Sequence, residues 1–129
     1  MAESRETKVF IIEDDFYISE MYRIKFESEH FKITIFNSGI EGIKVMKSEI
    51  PDIILLDIVM PKMDGFDVLK IIRSEQKLKN VPVVMLTNLS QKENIERCFE
   101  LGANGYIVKS HFTPSEVVKK VRSYLKIGN

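Results

Sequence analysis

One cysteine, Cys98, is all that 129 residues contain, so no internal disulfide can staple the chain. It falls in a helical pattern, where a buried structural thiol is the expected role. No stretch approaches the length of a membrane span, and Met1-Ala2-Glu3-Ser4-Arg5-Glu6 lacks the apolar region of a secretion signal. Both gaps predict a cytoplasmic protein that does not engage a membrane. No charge of one sign dominates. Lysine plus arginine and aspartate plus glutamate stand at 19 each, leaving no global field to draw the chain to nucleic acid or anionic lipid. No strand-like run is followed by G-x-G-x-x-G, which removes the usual dinucleotide or flavin signature. Repeats, low-complexity tracts and linkers are missing too. The length allows one domain with a proper core and not two, so residues 1–129 are expected to form a single domain.

What is present is an alternation. Val9-Phe10-Ile11-Ile12 reads as a buried strand that stops at Glu13-Asp14-Asp15, where Asp15 suits a helix N-cap. Ile18, Met21, Tyr22 and Phe26 then mark one face of a helix. Phe31 to Phe36 suggests a second strand, and Ser38-Gly39-Ile40-Glu41 opens a second helix to about Ser48 with a capping-box signature. Pro51 breaks the chain ahead of Ile53-Ile54-Leu55-Leu56, a run apolar on both faces, as an internal strand of a parallel sheet requires. Asp64 reads as a turn residue beside Gly65, and Phe66, Leu69 and Ile72 mark a third helix. Pro82 to Leu86 is a fourth strand ending at Thr87. Ser90-Gln91-Lys92-Glu93 is a second capping-box signature, and Ile95, Cys98 and Phe99 form the stripe of the helix that Gly102 closes. Tyr106-Ile107-Val108 is a fifth strand ending at Lys109. Thr113-Pro114-Ser115-Glu116 starts a last helix that faces inward through Val117, Val121 and Leu125. His30 and His111 have no second ligand at metal-binding spacing and read as surface residues.

Five strands alternating with five helices predict an α/β, flavodoxin-like, doubly wound parallel sheet, with order 2-1-3-4-5 chosen among the common ones. All strand carboxyl ends then lie along one edge, where open α/β sheets bind their ligands. Asp57 ends the third strand there. Alone it reads equally well as the cap of a turn before Pro61. Its neighbours change that. In the chosen order the first and third strands are adjacent, so Glu13, Asp14 and Asp57 share one pocket, and three carboxylates together call for a proton or a cation. A hard divalent ion, Mg2+, suits such a set. Thr87 adds a hydroxyl donor and Lys109 a compact cation, both suited to a dianionic phosphoryl group.

From about Lys8 to Lys126 the chain resembles a receiver domain of two-component response regulators. The resemblance is carried by Glu13-Asp14, by Asp57-x-x-Met60-Pro61-x-Met63-Asp64-Gly65, by Thr87, and by Gly102-Ala103-x-x-Tyr106-x-x-Lys109. It implies a stand-alone receiver with no output domain, acting as a signalling switch in a two-component system or phosphorelay. A sensor histidine kinase or a histidine phosphotransfer protein would donate the phosphoryl group to Asp57. Asp14, Asp57 and the backbone carbonyl of Val59 would hold Mg2+, with Glu13 contributing mainly through water. Lys109 would offset phosphoryl charge, Thr87 would move to bond the group, and Tyr106 would turn inward behind it. A downstream protein would read the face made by the fourth helix, fifth strand and fifth helix, with no direct contact to nucleic acid. Such a domain is not an enzyme beyond its own phosphoryl transfer and slow autodephosphorylation. The alternative is a pseudo-receiver that binds a partner without being phosphorylated. Four positions depart from the family pattern. Ser110 stands where a proline is usual, Asn88 is bulkier than the residue usual after Thr87, and Val59 and Leu89 are apolar where many fast-hydrolysing receivers are polar.

Overall fold

A computed structural model describes residues 6–125, so the tail up to Arg5 and the boundary expected at Lys126 lie outside the described residues. The strands are β1 (Lys8–Ile12), β2 (Lys32–Phe36), β3 (Ile53–Leu56), β4 (Val83–Thr87) and β5 (Gly105–Val108). Between and after them run α1 (Phe16–Ser28), α2 (Gly39–Met46), α3 (Gly65–Ser74), α4 (Lys92–Glu100) and α5 (Pro114–Leu125). All strand pairs are parallel and the sheet order is β2-β1-β3-β4-β5. The expected architecture is the observed one.

The strand sequences explain the layering. Because successive side chains point to opposite faces, Val9, Ile11, Ile53, Leu55, Val84 and Leu86 pack with Tyr22, Phe26, Val117 and Val121 of α1 and α5. Their alternates Phe10, Ile12, Ile54, Leu56, Val83 and Met85 pack with Met46, Leu69, Ile72 and Cys98 of α2, α3 and α4. Both faces are covered, so the central strands must be apolar throughout. Each fully buried leucine or isoleucine contributes about 1.5–3 kcal/mol.

Helix starts follow local chemistry. Asp15 accepts a hydrogen bond from the Ile18 N–H at 3.0 Å and caps α1, and Ser38 accepts from the Glu41 N–H at 3.2 Å to cap α2, which ends at Met46. Thr113 and Glu116 exchange both bonds of a capping box ahead of α5, at 2.8 and 3.1 Å. Four expectations need correction. Ser90 does not cap α4, whose N-cap is Gln91 with no side-chain bond. Asp64 is more than a turn residue, since it and Asp67 form a reciprocal capping box on α3. Met21 and Phe99 are 43% and 47% exposed. Of the inner face proposed for α1, Tyr22 and Phe26 are buried, and Ser19 joins them where Met21 was expected.

The end of α1 carries local strain. His30 has φ 69°, with its N–H on the Glu27 carbonyl and the Phe31 N–H on the Phe26 carbonyl, both at 3.0 Å. This left-handed closing position favours glycine. The exposed imidazole stands in one of only two positive-φ positions occupied by a non-glycine residue, among the described residues. His30→Gly is therefore expected to raise stability by about 0.5–1 kcal/mol, relief of the left-handed strain exceeding glycine's entropic cost. Urea unfolding with an unchanged slope would check it, and a loss of stability would contradict it.

Candidate functional site

The register of the sheet brings the acidic groups together. Ile12 pairs with Leu56, so Glu13 and Asp57, each one residue past its strand, emerge side by side at the carboxyl edge. The Asp57 N–H continues the ladder onto the Ile12 carbonyl at 3.1 Å, and the Glu13 N–H bonds the Phe36 carbonyl at 3.0 Å. Both carboxyls are nearly sequestered, Glu13 at 3% and Asp57 at 6% exposure, whereas Asp14 faces solvent. Ligand atoms of Glu13, Asp14 and Asp57 lie within 4.8 Å of one another.

Lys109 arrives from the far side. Thr87 pairs with Val108, so Lys109 leaves the end of β5, and its stem must cross β4 to reach β3 and β1. Its ammonium ion-pairs with Glu13 Oε1 and, at 3.0 Å, with Asp57 Oδ2. Asp57 Oδ1 accepts from the Ile58 N–H at 2.7 Å, and Glu13 Oε2 from the Asp15 N–H at 3.0 Å. Burial pushes the Glu13 carboxyl above its usual range, the Lys109 bond pulling part of the way back. Burial also works to lower the Lys109 ammonium, but its bond to Glu13 and the nearby Asp57 charge outweigh it and hold that group above its usual value. The phenol of Tyr22, buried and within range of the same three charges, is raised mainly by burial.

Three carboxylates against one ammonium leave an excess of negative charge, and the exposed Asp14 supplies oxygen atoms at the open side. That donor set fits a hard divalent cation with room for water. Glu13 has both oxygens engaged within the protein, which agrees with a role at one remove from such an ion.

A cleft over this cluster is lined by Asp14, Ile18, Val59, Asn88, Leu89 and Lys109, with Glu13, Asp57 and Thr87 at its floor. Thr87, 1% exposed, accepts the Leu89 N–H at 3.4 Å. Tyr106 donates its hydroxyl to the Leu89 carbonyl at 2.8 Å, and burial pushes its phenol up to about 12. The two residues expected to move together thus already meet through Leu89. Asn88 is exposed at the rim and accepts the Ser110 N–H at 2.9 Å. The Lys109–Ser110 bond is trans, as is every peptide bond among the described residues. Every expected site residue converges on this cleft or its wall. The Asn88 to Ser110 bridge and the Ile58 N–H on Asp57 had no signal in the sequence.

Residues 9–122 match the family described as the response regulator receiver domain. The transcriptional regulatory protein ResD of Bacillus subtilis is 36% identical over 126 residues, which is 98% of this chain and 51% of that protein. The DNA-binding response regulator MtrA of Mycobacterium tuberculosis is 32% identical over 119 residues, 92% of this chain and 50% of that protein. This chain therefore spans about half the length of the curated relatives it matches. Among solved structures, the Vibrio cholerae chemotaxis protein CheY4 superposes with a TM-score of 0.87 at 26% identity, covering 92% of this chain and 98% of that one.

Proposed function

The chain belongs to the response regulator receiver domain family, and from that premise we propose that Asp57 is the phosphoacceptor of a two-component signalling switch. Receiver domains serve phosphorylation-dependent signalling. The observation that carries the assignment to Asp57 is its position at the floor of the cleft, between Glu13, Asp14 and the Lys109 ammonium.

The donor is the phosphohistidine of a sensor kinase or a histidine phosphotransfer protein. A carboxylate oxygen of Asp57 attacks phosphorus and forms the O–P bond of an acyl phosphate. The P–N bond breaks, its electron pair returns to the imidazole, and the imidazole takes up a proton. Lys109 stays beside Asp57 and offsets charge on the phosphoryl oxygens, since this chemistry is mostly positioning and electrostatics. Asp14, Asp57 and the Val59 carbonyl would hold Mg2+, with Glu13 acting through water, and the ion when bound supplies further positive charge to the phosphoryl oxygens.

Thr87 turns its hydroxyl from the Leu89 N–H to the phosphoryl group, and the Leu89 carbonyl carries that shift to Tyr106. The face formed by α4, β5 and α5 is thereby repacked for a downstream protein. The balanced charge supports action through protein contacts rather than direct binding of nucleic acid. The intact set Asp14, Asp57, Thr87 and Lys109 favours this reading over a pseudo-receiver.

Intact mass after incubation with phosphoramidate, with and without Mg2+, tests it. One phosphoryl group gained only with Mg2+ is expected. No gain from phosphoramidate or from a phosphohistidine donor would leave the pseudo-receiver. The apolar Val59 and Leu89 on the cleft wall give an attacking water nothing to orient it, so the phosphoryl group should be lost slowly. Val59→Asn combined with Leu89→Glu should shorten its half-life on the order of 10-fold or more. An unchanged half-life would count against that account.

A further inference from the structure

We propose that Asn88 is a positioning residue for Lys109, acting through the Ser110 N–H. Lys109 reaches its partners with a long stem that crosses the end of β4, and four rotatable bonds make such a reach entropically costly unless its backbone is fixed. The backbone here is a 3-10 turn, Lys109–His111. The first N–H groups of such a turn have no partner within it. The Ser110 N–H finds one outside: Asn88 Oδ1, 2.9 Å away on the segment after β4. A proline at 110 would have no hydrogen to give, so Ser110 and Asn88 are chemically matched. Asn88 follows Thr87, so the bridge ties the segment carrying the hydroxyl to the one carrying the ammonium.

Positioning and simple obstruction of the cleft predict different results for three variants. Asn88→Ala removes bulk and acceptor, Asn88→Leu keeps the bulk without the acceptor, and Asn88→Asp keeps both. Limiting acetylation by acetic anhydride without Mg2+, read by peptide mass, reports how often Lys109 leaves its partners. Lys109 should react about 5-fold faster in the alanine and leucine variants, equivalent to about 1 kcal/mol for one hydrogen bond. The aspartate variant should restore wild-type protection. Lys8, ion-paired with Glu49 at the opposite end of the sheet, should not change in any of them. Equal Lys109 reactivity in all four proteins, or a parallel rise at Lys8, would overturn the proposal.

This test does not depend on phosphorylation. A kinetic arm does rest on Asp57 being the acceptor. The labelling rate at saturating phosphoramidate should fall about 5-fold in the alanine and leucine variants, with the half-saturating concentration unchanged. Faster labelling of the alanine variant, with the leucine variant like wild type, would make Asn88 an obstruction and overturn positioning. If wild type is not labelled at all, the acceptor assignment falls and the acetylation result still decides the role of Asn88.

Discussion

Lys109→Met should destabilise the protein by about 3–5 kcal/mol at neutral pH without Mg2+, lowering Tm on the order of 10–20 °C. The lysine stem and both carboxyls it touches are sequestered, with side-chain exposures of 9%, 4% and 7% for Lys109, Glu13 and Asp57. Methionine keeps the apolar stem and removes the charge, so the loss isolates two buried carboxylates left to repel each other. Two dependences separate this cause from lost packing. Mg2+ should recover much of the deficit, because an ion that binds the folded state stabilises it by mass action. Acid should recover part of it as well. Glu13 is already raised in the folded state by burial, and removing the lysine bond raises it further. A carboxyl raised on folding binds more protons folded than unfolded, so stability falls as pH rises through the folded pKa. The deficit is thus largest at neutral pH and shrinks as the pH is lowered toward that of the raised carboxyl. A deficit independent of both pH and Mg2+ would mean that Lys109 acts through packing alone.

Gly65→Ala should have the largest effect on labelling of any change outside the cleft. A Cβ at this position would press into the Asp57 carbonyl oxygen and stand 2.7 Å from Ile58 Cα. Both are backbone atoms and cannot swing aside. The Gly65 N–H also bonds the Ile58 carbonyl at 2.8 Å, so the first turn of α3 is laid directly on the acceptor segment. One methyl group must therefore push α3 away or shift Asp57. We expect about 2–3 kcal/mol of destabilisation, at the upper end for overpacking. A shift of about 1 Å in the nucleophile would slow phosphoryl transfer on the order of 100-fold. Urea unfolding and the initial rate of phosphoramidate labelling would measure the two. A stable variant labelled at the wild-type rate would show that this close approach does not place Asp57.

Much of this was legible because it is local or periodic. Asp15, Ser38 and the Thr113 to Glu116 pair act on N–H groups three residues away, so their spacing alone suffices. The continuous apolar runs of β3 and β4 require cover on both faces, and a parallel sheet places Glu13, Asp57, Thr87 and Lys109 along one edge. Misreadings arose where a pattern matches more than one backbone. Ser90 and Glu93 have the right separation, but α4 starts after Gln91 and the serine falls one residue early. Asp67, shorter than the glutamate usual at that position of a capping box, concealed the box at Asp64. Met21 and Phe99 share a helical face with buried neighbours but lie at the margin of a narrow stripe. The side-chain contacts of the site were the least legible part. Lys109 meets Glu13 across 96 positions of sequence, and Asn88 meets Ser110 across 22, through reach and backbone placement that no spacing encodes.

The most direct measurement is to find the carboxyl that carries the phosphoryl group. Phosphoramidate-labelled protein reduced with borohydride converts an acyl phosphate to an alcohol, so an aspartyl phosphate becomes homoserine that peptide mass spectrometry can locate. Homoserine is expected at position 57, dependent on Mg2+ during labelling and missing from Asp57→Asn. Reduction at Glu13 or Asp14 with Asp57 intact, or labelling that persists in Asp57→Asn, would contradict it.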